Sequence, residues 1–480
     1  MKKQKRSFRI CLVLAVVILA SGLTLWAQRN PKDKFSFGPL NPIKMPKVER
    51  VELGNGLKLF LVEDHEYPTI DLRAMVRVGS VFEPAGKTGL ASIAGQVLRT
   101  GGTTAKKGDE IDKELETLAA SVETGIGQSS GTLSVSVLRE DIDRALGILA
   151  DLLMNPPFPE DKIALAKIQA KSMIARRNDD IGGISFREFN KIIYGRSSPY
   201  ASQTEYATID TITRDDIVNF YKTYFYPNNT LLTVWGDFKS AEIVNKLKST
   251  LGRWQKGKAS TEPWPAVAYE DKYTVNFVDK PDVNQSNILL GHIGGTMDNP
   301  DFPALNVMNS ILSFDRMFKK IRTAEGLAYS VWGNYGAGYR APGVFSCGAQ
   351  TKSQSTIYAI ELMLKELKRI TESEVTDEEL GKAKDEYLNS YVFNFDSRAK
   401  IVNGLMTYAY FGYPLDFTEK LKAGVEKVNK ADILRVAKKY LHPDKVQILV
   451  VGKKEDFDKP LSTLGPVNVI DIKIPAANTK

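Results

Sequence analysis

The sequence predicts an α+β protein built as a tandem pair of homologous α/β domains, antiparallel sheets flanked by helices. Strand-like runs such as VERVELGNGLKLFLVED (48–64) alternate with helix-like runs such as DIDRALGILADLL (141–153). A long segment near the end of the first half is written again near the end of the second. The chain has 480 residues, 43% of them hydrophobic, which is more than one ordinary core accommodates.

The repeat is the most informative of these. TRDDIVNFYKTYFYPNNTLLTVWGD is answered by NKADILRVAKKYLHPDKVQILVVGK. Asp216 pairs with Asp432, Ile217 with Ile433, Tyr224 with Tyr440, Pro227 with Pro443 and Gly236 with Gly452, all at an offset of 216. Upstream, with small insertions, LAASVETG (118–125) matches LAYSVWGN (327–334) and GTLSVSV (131–137) matches GVFSCGA (343–349). A period this long excludes a solenoid and fits a domain duplication. The domains are expected at 48–256 and 271–475. Residues 257–270 (GKASTEPWPAVAYE), with two Pro and no clear period, form the expected linker.

The amino terminus reads as an export signal. Residues 1–9 are basic and residues 10–27 are almost continuously apolar, the layout of a signal peptide cut after Ala27 or of an uncleaved anchor in the inner membrane. A Pro-containing lead segment, 28–47, follows. On this reading the body is exported and periplasmic. Five of the positive charges (Lys2, Lys3, Lys5, Arg6, Arg9) lie in residues 1–9, so the formal charge of +8 falls to about +3 for the rest. A balance of that kind does not suggest a nucleic-acid partner. Cys11 belongs to the signal, which leaves Cys347 alone and rules out an intramolecular disulfide in the mature chain.

TGLASIAGQVLRTGGTT (88–104) places Leu90, Ile93, Ala94, Val97 and Leu98 on one stripe, closed by Gly101 and Gly102, and predicts a helix packed on a sheet. GIGQSSG (125–131) precedes the strand TLSVSV rather than a helix, so it reads as a hairpin turn and not a phosphate loop. No strand-to-helix nucleophile elbow occurs: GQSSG (127–131) has the GxSxG spacing but lies in that same turn before a strand, and LSFDRM (312–317) is not one. The three histidines, His65, His292 and His442, lie far apart in sequence without a second ligand at helical spacing, and are expected to be satisfied surface or turn residues.

The 88–104 segment resembles the amino-terminal domain of the insulinase/pitrilysin family of zinc peptidases, in the branch of mitochondrial processing peptidase. Active members carry HxxEH on this helix: two His one turn apart bind Zn²⁺ and the Glu activates a metal-bound water. The matching positions here are Ser92, Gly95 and Gln96, none of which can do either. The family's third ligand is a Glu some 75 residues further on. The corresponding stretch, KIALAKIQAKSMIARRN (162–178), contains neither Glu nor His. The resemblance implies no metal in this chain.

In the second half, FDRMFKKIRTAEGLAYSVWGNYGAGY (314–339) resembles the family's other signature, an Arg followed seven residues later by a Tyr. Here they are Arg322 and Tyr329, with Gly326 expected to end the helix so that the next strand carries the Tyr. The resemblance implies that the guanidinium fixes substrate carbonyl oxygens and that the phenol supports the oxyanion, roles that suit a fixed cationic fork and a single aimed O–H. Relatives have a glycine-rich run before this helix, whereas this chain has ILSFDRMF (311–318), which implies a shorter, stiffer loop.

The resemblance therefore implies two insulinase/processing-peptidase-type domains in a clamshell. It implies a metal-free partner of a heterodimeric zinc metallopeptidase: a homologous HxxEH-containing subunit supplies the zinc, and this chain binds peptide and supports the transition state in trans. The alternatives are a structural or peptide-binding subunit with no catalytic contribution, and a homodimer.

Overall fold

The computed structural model describes residue 43, residues 45–258 and residues 263–476. The expected signal or anchor segment (1–27) lies outside the described residues. So do most of the 28–47 lead and residues 259–262 of the expected linker.

Strand Gly131–Leu138 buries Leu133, Val135 and Val137 and exposes Ser134 and Ser136, the period-two pattern of a sheet with one face on a core. It is β5 of a six-stranded sheet whose order is β1 (Glu49–Glu52), β2 (Lys58–Glu63), β6 (Thr230–Gly236), β3 (Thr69–Val76), β5, β4 (Ser121–Ile126). Only β2 and β6 run parallel. The residues of GIGQSSG between β4 and β5 make the expected hairpin, with Gly127 N–H donating to Ser130 O at 2.9 Å.

The second sheet repeats this plan. Its order is β10 (Ala328–Tyr335), β12 (Val344–Lys352), β8 (Gln285–Ile293), β13 (Gln447–Gly452), β7 (Thr274–Asp279), β14 (Val467–Val469). The pairs β13–β7 and β14–β7 are parallel and the others antiparallel. The short strands β9 (Gly295–Thr296) and β11 (Ala337–Gly338) pair beside it.

The repeated residues do the same work twice. Helices Arg214–Tyr224 and Lys430–Tyr440 begin and end 216 residues apart. Each starts with a reciprocal cap. Asp216 N–H donates to Thr213 Oγ1 and Thr213 N–H to Asp216 Oδ2; Asn429 and Asp432 repeat the arrangement. Ile217 and Ile433 are fully buried under them. Gly236, at φ +130°, leaves no space for a Cβ, which would sit 2.1 Å from Thr69 O.

Neither unit covers both faces of its own sheet. Helix Ile181–Tyr194, from the first unit, packs on β8 and β13 of the second, joining Ile184, Phe189 and Ile193 to Leu289, Leu449 and Val451. Its counterpart in the second unit, helix Arg398–Phe411, packs on β6 of the first. There Asn403 Oδ1 accepts from Arg73 at 3.0 Å, Tyr410 donates its hydroxyl proton to Ser129 O at 2.7 Å, and Arg398 pairs with Asp64 at 2.8 Å. The exchange is reciprocal.

The units differ at one sheet edge. In the first it is β1, a hairpin partner of β2. In the second it is β14, delivered from the carboxy-terminal tail. The tail then crosses back: Ile470 and Ile472 join the cluster around helix Ile181–Tyr194, Asn178 Nδ2 donates to Ile472 O at 2.7 Å, and Ile474 packs on the first core. Ile470→Asp, which places a carboxylate in that apolar cluster, should lower stability by about 2–3 kcal/mol in a urea titration. A change below roughly 0.5 kcal/mol, the scale of an ordinary surface substitution, would show that the tail does not strap the units together.

Candidate functional site

The helix predicted at 88–104 spans Leu90–Thr100. Its amino terminus is capped from outside by Glu83, whose Oε1 accepts from the N–H groups of Gly89 (3.1 Å) and Ala91 (2.7 Å). Burial pushes the Glu83 carboxyl up to about 7, against the lowering effect of those two donors.

The three degenerate positions have three different environments. Ser92 is exposed. Gly95 is buried against β4: a Cβ there would lie 2.4 Å from the backbone N of Ile126 and 2.9 Å from Gly125 C. Thr124 Oγ1 also donates to Gly95 O at 2.5 Å, so the helix and β4 meet backbone to backbone. Gln96 donates through Nε2 to Oε1 of Gln169, on helix Glu160–Arg176.

Gln169 was not singled out by the sequence. It lies 73 residues after Gln96, within the stretch where the resemblance expects the third metal ligand, and that spacing is the signal that could have found it. A neutral amide pair thus joins the two helices on which the resemblance expects metal ligands. Among the described residues no group of three or more His, Cys, Asp or Glu is placed to hold a metal ion.

In the second unit, helix Phe302–Ser310 runs without a break into Ile311–Ala324, which is wound as a π-helix. The short loop expected at 311–318 is therefore helical. Without glycines, ILSFDRMF keeps its backbone hydrogen bonds inside the helix, and the wider winding is where its irregularity is absorbed. Buried Arg316 clamps this helix to Glu379 with two hydrogen bonds, at 2.7 and 3.1 Å. Ser313 Oγ and Asn309 Oδ1 accept from the N–H groups of Gly333 and Tyr335 on β10, at 2.9 and 2.7 Å.

Gly326, at φ +63°, ends the helix as expected, and β10 carries the tyrosine. Arg322 and Tyr329 come together: the guanidinium carbon lies 5.5 Å from the Tyr329 ring centre and 5.1 Å from that of Phe318. Phe318 in turn stacks on Phe314, 5.3 Å between centres. Phe314, Phe318 and Arg322 follow one another at intervals of four, which makes the ladder legible in the sequence once the helix is known to continue. Tyr329 is 75% exposed, and among the described residues neither the Arg322 guanidinium nor the Tyr329 hydroxyl has a hydrogen-bond or ion-pair partner. Stacking holds the two side chains while their donors stay open.

The histidines depart from expectation at one position. His65 is exposed and bonds Asp237 at 2.6 Å. His292 is a core residue, not a surface or turn one: β8 is a central strand, and its side chain is buried against Phe345 and His442, ring centres 4.8 and 5.4 Å away. Its Nδ1–H donates to Ile293 O at 2.6 Å and its Nε2 accepts from His442 N–H at 3.4 Å, the pattern of a neutral ring. Burial lowers its pKa to about 4.

Fold and site together define a duplicated, peptidase-like protein with an amide pair and a close backbone contact at the positions where the resemblance expects a metal motif. Residues 58–194 match the family described as Insulinase (Peptidase family M16), and residues 211–387 match Peptidase M16 inactive domain. The chain belongs to this insulinase family, as an inactive homologue without HxxEH. It is similar to the non-peptidase homolog YmxG of Helicobacter pylori, 24% identical over 400 residues that cover 82% of this chain and 91% of that one. It is also similar to the zinc protease PqqE of the same organism, 22% identical over 416 residues, 82% and 90% of the two chains. The crystal structure of a peptidase M16 inactive domain from Pseudomonas fluorescens has the same fold, with a TM-score of 0.78 and 24% identity over 86% of this chain and 99% of that one.

Two outcomes follow from this geometry. Gly95→Ala gains about 1 kcal/mol of helix propensity but drives a methyl into the β4 backbone at a cost of about 1–3 kcal/mol. Urea unfolding should show a net loss for it and a change within about 0.5 kcal/mol for exposed Ser92→Ala; equal stabilities would contradict the contact. His292 stays neutral in the folded protein, whereas the unfolded chain protonates it below its ordinary pKa of 6.5. Its contribution to stability is present above that value and is lost as pH falls toward about 4, by up to roughly 3 kcal/mol. His292→Phe should flatten the fall of stability over this window, and an unchanged slope would assign the acid loss to other groups.

Proposed function

We propose that this chain is the metal-free partner subunit of a heterodimeric zinc metallopeptidase, binding peptide substrate and supporting the transition state in trans. The observation that carries the reading is the asymmetry between the two units. The position of the metal is closed by Gly95 and by the Gln96–Gln169 pair. The Arg322–Tyr329 pair is assembled, exposed and without polar partners among the described residues. An Arg fork and a phenol suit an oxygen that gains negative charge when a carbonyl is attacked. The attacking water has to be activated elsewhere, by zinc on a homologous HxxEH-containing chain that closes with this one as a clamshell. That Helicobacter pylori has both a non-peptidase homologue and a zinc protease similar to this chain supports such a pairing.

The basic and apolar amino-terminal run supports export, with the assembly working in the periplasm, either freed by cleavage of the signal peptide or held to the inner membrane by residues 10–27. The second reading, a structural or peptide-binding subunit with no catalytic contribution, is favoured by the stacking of Arg322 between Phe318 and Tyr329, a contact that packing alone would also keep.

Co-purification with an HxxEH-containing homologue from the same organism, and peptidase assays of each chain alone and mixed, separate the two. The expected result is a complex in which activity needs both chains. Arg322→Ala and Tyr329→Phe should each lower kcat by about 10²-fold, roughly 3 kcal/mol, with assembly intact by size-exclusion chromatography. An active mixture indifferent to both substitutions would leave only the structural reading, and failure of the two chains to associate would remove the partnership itself.

A further inference from the structure

The duplication calls for a helix that the second unit does not have. In the first unit β6 ends at Gly236 and leads into helix Ser240–Leu251, which packs on β2 with its Ile243, Leu247 and Leu251 buried. The start of this helix is fixed by Glu63, the last residue of β2, whose Oε1 accepts from Ser240 N–H at 2.6 Å. In the second unit β13 ends at the equivalent Gly452, but only the short 3₁₀ turns Lys454–Asp456 and Leu461–Leu464 separate it from β14.

The place of the missing helix is a cavity of about 520 Å³. Phe277 lines it from β7, 216 residues after Leu61, which belongs to the same core cluster as Ile243 and Leu247 in the first unit. Phe457, Leu461, Val467 and Val469 complete its apolar wall, and Val469 is 71% exposed. Asp279 pairs in register with Gly452 as Glu63 does with Gly236. Its carboxylate therefore stands where Glu63 caps the helix, and here it has no hydrogen-bond or ion-pair partner among the described residues. Two other charged groups of the wall are committed: Asp458 accepts from the N–H groups of Ile357 and Tyr358 at 2.8 and 3.0 Å, and Lys459 pairs with Glu361 at 2.7 Å. An apolar wall with a free carboxylate at one end is the complement of an amphipathic helix, whose aliphatic stripe meets the wall and whose first-turn N–H groups meet the carboxylate.

We propose that this cavity docks an amphipathic helix of a partner protein, seated on the second sheet as helix Ser240–Leu251 is seated on the first. Its amino terminus lies at Asp279 and its aliphatic residues lie on Phe277, Phe457 and Val469. The twin unit shows what covers such a face, and the docking site stands independently of the peptidase partnership.

The probe is the first unit's own helix, a fluorescent synthetic peptide of residues 239–252 with acetylated and amidated ends, titrated into the protein as the cell makes it and read by anisotropy. Saturable binding is expected, with none for a scrambled peptide of the same composition. Val469→Lys, on the exposed edge strand, should weaken it by about tenfold, the scale of one buried aliphatic side chain. Asp279→Ala should weaken it by about fivefold, the scale of a helix cap. No saturation at millimolar peptide, equal binding of the scrambled peptide, or an affinity unchanged by Val469→Lys would overturn the proposal. So would self-association in sedimentation that Val469→Lys abolishes, which would make the occupant a second copy of this chain. Binding that appears only after residues 1–44 are removed would assign the cavity to this chain's own amino-terminal segment and overturn it as well. Because neither zinc nor substrate enters the experiment, its failure is distinct from a failure of the peptidase partnership.

Discussion

Each sheet in this protein buries one face under its own helices and the other under a helix lent by its twin. That reciprocity is the constraint on which the rest depends. An amphipathic sheet cannot leave an apolar face in water, and the second sheet's Leu289, Leu449 and Val451 are covered by Ile184, Phe189 and Ile193 of the first unit. In return, helix Arg398–Phe411 packs on β6 of the first unit and adds polar contacts around it, Asn403 to Arg73, Tyr410 to Ser129 and Arg398 to Asp64. Together with the tail that pairs with β7 and then reaches the first core, these contacts make the duplicated units one body.

On that scaffold the two equivalent helix–strand corners have diverged in opposite directions. In the first unit the helix approaches β4 so closely that only glycine fits at position 95, and the gap to the neighbouring helix is closed by two amides. Both contacts are packing and neutral hydrogen bonding, which hold the corner together without an ion. In the second unit the helix extends, widens and carries its aromatic and cationic residues outward, pinned to β10 by Ser313 and Asn309. The same corner is closed in one unit and offers two open donors in the other.

Much of this was legible in the chain. Constant spacing carried the duplication, because capping boxes, strand-ending glycines and buried isoleucines are local requirements that recur with the element they serve. The degenerate motif and the Arg–Tyr pair were also visible, since motif positions are read residue by residue. Gln169, the burial of His292 and the helical state of 311–318 were not, because each depends on a neighbour far away in sequence. A histidine in LLGHIGG looks the same whether its strand lies at an edge or in the middle of a sheet.

The sequence by itself therefore determined the class of fold, its internal repetition and the absence of an HxxEH motif, all of which follow from residue type and spacing. The tertiary structure alone decided what surrounds the degenerate motif positions, which helix covers which sheet and that Arg322 meets Tyr329 with its donors free among the described residues. Those outcomes are set by close approach between segments separated by tens to hundreds of residues, where a few tenths of an ångström separate a glycine that fits from a side chain that does not.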